Sequence, residues 1–180
     1  MNAEEIRVSI ENVESEIKKQ IMDDMPRLIG NAAVSMVNQN FRDAGWRDGG
    51  LKPWKKTKRQ MGKGKGSQYL PLHSSREHMS RSTQYKKTGP GEVTISNPVP
   101  YASVHNDGFE GNVNVKAHKR TISKGKNKGD KYSVRAFSRR MYIPQRKFLG
   151  RSRELTERIN TLVNDAIERI MKKLSNAKNL

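Results

Sequence analysis

No cysteine occurs among the 180 residues, which excludes disulfides and thiolate metal sites and fits a reducing compartment. Apolar residues are also scarce, at 33% of the chain, against a usual ~45–50%. A small core must therefore carry the fold, with much of the chain at the surface or extended. No apolar run approaches the ~20 residues of a membrane span. The opening "MNAEEIRVSIENVESEI" is acidic and lacks the apolar block of a signal peptide. A soluble protein of intracellular origin is expected. Acids are few as well: 18 Asp and Glu stand against 36 Lys and Arg, a net charge of +18. Such a balance points to a polyanion or an acidic partner surface, and carries no information about fold.

What charge there is falls unevenly. Residues 1–25 hold seven acids (Glu4, Glu5, Glu11, Glu14, Glu16, Asp23, Asp24) against three bases. Residues 42–90 reverse this, with thirteen bases against Asp43, Asp48 and Glu77, and residues 116–153 set fourteen bases against Asp130 alone. An acidic end and two basic blocks on one short chain can attract each other between copies. Simple solvation is the plainer reading of such runs.

Periodicity is clearest at the two ends. Leu155, Ile159, Leu162, Val163, Ala166, Ile167, Ile170, Met171 and Leu174 form one apolar stripe on a helix of about six turns, with Ser152 as N-cap and Glu154 in the first turn. Ile6, Ile10, Val13, Ile17 and Ile21 make a similar stripe near the start. Pro26, after Asp23, Asp24 and Met25, reads either as a stop and new start or as a kink in one helix. The segment after it is expected to bury Leu28, Ile29, Ala32, Ala33, Met36, Val37 and Phe41.

The middle has a different character. Residues 45–68, "GWRDGGLKPWKKTKRQMGKGKGSQ", are aperiodic and rich in Gly and Lys, so a basic arm is expected there. A short helix fits 74–82. Residues 83–87 and 92–97 flank "TGPG" and read as a hairpin, with Val93 and Ile95 alternating against Thr94 and Ser96. "NVNVKA" (112–117) and "KYSVRAF" (131–137) make a second expected pair around a flexible tip, "TISKGKNKG". The whole is expected to be a single α+β domain over 1–180, with N- and C-terminal helices packed on a small antiparallel β-sheet. The basic arm of 45–68 and a basic hairpin insertion of 109–140 extend from it.

Candidate chemistry is thin. "GKGKGS" (62–67) lacks both the Walker spacing and a strand-to-helix setting. His73 and His78, five apart, would sit on different faces of a helix without a carboxylate cluster, and His105 and His118 add no metal spacing. No Ser/His/Asp set is suggested, and neither enzymatic activity nor a cofactor is expected. Trp46, Trp54, Tyr69, Tyr85, Tyr132 and Tyr142 lie in or beside basic stretches, where they could stack on bases, but a core this small needs most of them. Phosphate contact without base readout is the economical use of Lys63, Lys65, Lys124, Lys126 and Lys128.

Two short stretches then stand out. "NPVPYASVHNDG" (97–108) contains a Pro-Tyr-Ala turn ending near a glycine, and "YIPQRKFLG" (142–150) is a proline-and-aromatic corner before the last helix. In this order they resemble the phage virion morphogenesis family, the tail-completion proteins of Mu-like and P2-like tailed phages. Pro100, Tyr101, Ala102, His105 and Gly108 match its first motif; Pro144, Arg146, Phe148, Leu149 and Gly150 match its second. Upstream, Phe41, Gly50, Trp54 and Thr57 are similar to the family's Phe, Gly, Trp and Thr run. The resemblance covers most of residues 28–175. One departure is that the family's Thr-Gly-x-Leu turn is replaced by Ser74 and Ser75, with Glu77 or, after a gap, Met79 in the leucine's place.

The resemblance implies a structural virion protein, a tail-completion or head–tail neck subunit, assembled in the host cytoplasm. Its implied partners are copies of itself in a hexameric ring, the adjacent neck and tail proteins, and double-stranded DNA in the lumen, with no membrane. A corner stiffened by Pro144 and plugged by Phe148 and Leu149 would fix the direction of the last helix, which matters where angular errors accumulate around a ring. The basic extensions would either reach the acidic helix of a neighbour or touch DNA phosphates. A general, non-sequence-specific nucleic-acid-binding protein is the alternative.

Overall fold

Pro26 does not end the first helix. The computed structural model describes residues 12–178, and within it the chain is helical from residue 12. It passes through a π-helical turn, Gln20–Asp24, straight into α1, Met25–Arg42. Lacking an N–H, Pro26 cannot reach back to the Met22 carbonyl. The path accommodates this by the wider turn, in which the Met25 N–H bonds the Gln20 carbonyl. The Gly91 N–H meets the Met22 carbonyl at 3.4 Å. The continuous-helix alternative is therefore the one adopted. Ile6 and Ile10 lie outside the described residues. Val13 and Ile17 are half-buried, whereas Ile21 is 48% exposed, so the expected stripe runs out before α1.

Along α1, Ala32, Ala33, Met36, Val37 and Phe41 are buried as their spacing predicts. Leu28 and Ile29 are only half-buried, and Gly30 and Asn40 take inward places instead. After α1 come a small hairpin, β1 (Gly45–Arg47) with β2 (Leu51–Pro53), and a single helical turn, α2 (His78–Arg81). That turn is shorter than the expected helix. Its Met79 enters the core, while Glu77 is half-buried and pairs with Arg81 at 2.7 Å.

The hairpin around Gly91 forms as expected, from β3 (Gln84–Gly89) and β4 (Glu92–Ser96). It packs on α1. A short helix, α3 (Ala102–Asp107), precedes the long ribbon. There β5 (Phe109–Val115) pairs with β8 (Phe137–Ile143), and β6 (His118–Thr121) pairs with β7 (Lys131–Val134). The expected partnering of 112–117 with 131–137 is thus wrong: residues 112–115 take 137–140, and 131–134 take 118–121. Register is weakly specified where both faces of a ladder meet water, and most of these side chains do. The tip is closed by backbone bonds, including Ile122 N–H to Asp130 O and Gly129 N–H to Ile122 O, both 2.9 Å.

The final helix, α4 (Arg153–Lys178), lies against α1. Its stripe is only partly used. Ala166 is buried, and Ile159, Leu162, Val163, Ile170 and Leu174 are half-buried. Ile167 and Met171 face outward, 52% and 60% exposed. One neighbouring helix covers a narrower arc than nine apolar positions occupy. The architecture is α+β with helices at both ends, but the expected single sheet is four separate two-stranded antiparallel ladders. A core of Val37, Phe41, Trp54, Met79, Val99, Ala102 and Phe148 joins α1, α2, α3 and the segment before α4.

Candidate functional site

The proline-and-aromatic corner is the most heavily tied part of the chain. Phe148 is buried to 1% exposure, its ring 5.0 Å from that of Phe41. Trp54 meets Phe41 edge-on at 5.6 Å, and its indole N–H donates to the Lys147 carbonyl at 2.9 Å. Asn106 accepts from the Phe148 and Leu149 N–H groups at 3.0 and 2.9 Å. Asn40, wholly buried, donates to the Phe148 carbonyl at 3.1 Å and accepts from the Arg47 N–H at 3.2 Å. Trp54, Asn106 and Asn40, from three separate parts of the chain, thus hold the backbone of residues 147–149, so the corner's path is fixed from several sides.

The two motifs meet here. The Arg146 N–H donates to the His105 carbonyl at 2.8 Å. Gly108 has φ +79, and a Cβ on it would lie 3.0 Å from the Gln145 nitrogen and 3.2 Å from the Ile143 oxygen. Only glycine combines that backbone with that closeness. Ala102 is in the core, Pro144, His105, Leu149 and Gly150 are half-buried, and Pro100 and Tyr101 are exposed. Tyr101 stands edge-on to His105 at 6.1 Å.

From the corner the chain enters α4 through a defined cap. Ser152 Oγ accepts from the Leu155 N–H at 3.2 Å. Asp48 accepts from the Arg153 N–H at 3.1 Å, and Glu154 accepts from the Gly49 and Gly50 N–H groups at 3.0 and 3.1 Å. The β1–β2 turn and the start of α4 thereby hold each other. The Arg153 N–H and then Lys52 lower the Asp48 carboxyl below its ordinary value. For Glu154, desolvation acts to raise it, but its own N–H and those of Gly49 and Gly50 prevail and lower it.

Beside the corner lies a cleft of about 370 Å³ lined by Arg59, His73, His78, Tyr101, His105 and Arg146, among others, with no carboxylate among the described residues of its wall. Arg146 is 6% exposed, and its Nε and Nη2 both donate to the Lys55 carbonyl, at 3.1 and 3.0 Å. Burial lowers the Arg146 guanidinium from its usual value. Burial, and then the charge of Arg146, lower the His105 imidazole.

The structure thus gathers Trp54 and the residues of both motifs around one junction. Lys63, Lys65, Lys124, Lys126 and Lys128 are exposed, the last three at the ribbon tip. Trp46 and Trp54 are buried, with the Lys147 ammonium 4.5 Å over the Trp46 ring, while Tyr132 and Tyr142 are exposed on the ribbon. Sequence reasoning missed Asn40, Asn97 and Asn106. Asn97 ties the Met79 carbonyl and Thr83 to the Val99 N–H. Nothing in residue type marks them, since each has polar neighbours in the chain, as Asn40 follows Gln39 and Asn106 lies between His105 and Asp107. Among the described residues no group of His, Asp and Glu is placed to hold a metal ion, and no helix is long and apolar enough to cross a membrane.

This is the geometry of a structural junction: buried polar groups hold a backbone in place, with exposed basic chain to either side. The chain belongs to the phage virion morphogenesis family, which it matches over residues 2–168. It is accordingly a structural or assembly protein of a phage, associated with the virion. No curated protein and no solved structure matches it.

Proposed function

We propose that the chain is a tail-completion or head–tail neck subunit that closes into a ring of identical copies around the DNA channel, and that it is not an enzyme. The observation that carries this reading is the ribbon of β5 to β8. Its strands pair chiefly with one another rather than with the body. Along β5 and β8, Phe109, Val113, Val115, Phe137, Met141 and Ile143 share one face, interrupted only by Gly111 and Arg139. Five of these side chains are half-buried and Phe137 is 46% exposed, so the face is left only partly covered by its own chain. Such a face suits burial against another subunit, and family membership makes a virion neighbour the natural one. The stiff corner at Phe148 sets the direction of α4 relative to that ribbon, as closure of a ring requires.

Light scattering or native mass measurement on the full chain tests the reading. A discrete, closed oligomer is expected, alone or on tails. A chain that stays monomeric at every concentration, and whose deletion leaves virion assembly intact, would end it.

A further inference from the structure

Arg146 is a buried cation whose only acceptors among the described residues are backbone carbonyl oxygen. Its Nε and Nη2 share the Lys55 carbonyl, and none of the ion pairs among the described residues includes it. A guanidinium has five donors in a fork that fits a carboxylate or phosphate, so donors remain for a ligand. Among the described residues, the cleft it lines contributes Arg59, His73, His78 and His105 and no acid. Arg59 is already committed, its Nη2 donating to the carbonyls of Tyr69, Leu70 and His73. His105 Nδ1 is buried with no hydrogen-bond partner among the described residues. The same wall thus holds a buried guanidinium with donors to spare beside a buried imidazole nitrogen left unpaired, and proteins rarely leave the latter uncompensated.

We propose that this cleft is an anion receptor that takes a carboxylate from an acidic side chain of another protein chain and seats it on Arg146. A carboxylate on a side-chain stalk reaches a guanidinium that is itself 6% exposed more readily than a duplex phosphate, which is flanked by its sugars and the opposite strand. Only the source of the carboxylate, a neighbour in the virion, rests on the assembly reading above; the site stands on its own geometry.

The test uses the full wild-type chain, since replacing Arg146 would also remove its bonds to Lys55. N-acetylglutamate is titrated at millimolar concentrations while the side-chain Nε–H of Arg146 and the ring of His105 are followed by NMR. Saturable shifts at both are expected. Ser74→Asp, which places a carboxylate in the cleft wall without touching the core, should weaken the probe by about tenfold or more as a charged competitor of the same site. Absence of saturable shifts at Arg146, or shifts that appear only with inorganic phosphate or duplex DNA, would overturn the proposal. A monomeric chain that still shows the glutamate shifts would remove the ring and leave the site.

Discussion

The ring of Phe148 touches Phe41 on a helix more than a hundred residues earlier, and its backbone is held by Asn40 and Asn106. Truncation to alanine would leave a hole among Phe41, Trp54 and Ala102, so Phe148→Ala should cost ~3–5 kcal/mol in a denaturant or thermal melt. An unchanged melt would mean that the ring contributes nothing to the core. His105 carries a second prediction. Its folded pKa is lowered by burial and by Arg146, so between the unfolded value of 6.5 and the folded value the unfolded chain binds the extra proton. Stability from this group is complete above pH 6.5 and declines as pH falls below it, by at most about 1.4 kcal/mol per pH unit. The carboxylates of Asp43, Asp48 and Glu154, also lowered, act only in the more acidic range below their ordinary values of 3.8 and 4.5. Melting temperature should therefore fall as the pH is lowered through 6.5, and His105→Gln should flatten that fall. At this scale Phe148 was legible from its place in a proline-and-aromatic corner. Asn40 and Asn106 were not, because their partners lie 108 and 42 residues away in the chain.

Among elements, α1 and the β3–β4 hairpin show why a helix can need glycine in its interior. A Cβ at Gly30 would lie 2.4 Å from the ring of Tyr85. Replacing an interior glycine by alanine gains about 1 kcal/mol in helix propensity, but forcing the ring aside costs about 1–3 kcal/mol, so Gly30→Ala should be neutral to destabilising by about 2 kcal/mol. The same change made in Tyr85→Ala should instead stabilise, and this reversal of sign, read from paired melts, identifies the contact. If Gly30→Ala stabilises both backgrounds equally, the ring does not press on α1. Helix existence was legible because α1 and α4 repeat apolar residues at helical spacing, and the β3–β4 hairpin because Gly91 punctuates two alternating runs. The ribbon's pairing was not. Its side chains alternate, but with water on most of the surface no buried face selected among registers, and the true one joins Val115 to Phe137 across a longer ladder. The path through Pro26 stayed open between two readings for a different reason, since the π-helical turn that accommodates the proline leaves no trace in residue type.

For the molecule as a whole, the open question of the ribbon tip turns on charge. Lys124, Lys126 and Lys128 are exposed at one end of a ladder that carries few acids, and the neighbour and the DNA readings make opposite demands on them. If the tip touches duplex phosphate, the contacts release counterions, and the logarithm of affinity falls with the logarithm of salt by about 0.9 per contact. Changing all three lysines to glutamine should then reduce that slope by up to about 2.7 while leaving the mass of the assembled particle unchanged. If the tip instead reaches an acidic surface on an adjacent copy, the same variant should lower the oligomeric mass at moderate salt and leave the DNA slope where it was. Light scattering and a salt series on the full chain, run together, separate the two. A variant that alters neither would assign the tip to neither partner, and the basic ribbon would then act through Arg135, Arg139 and Arg140, nearer its base.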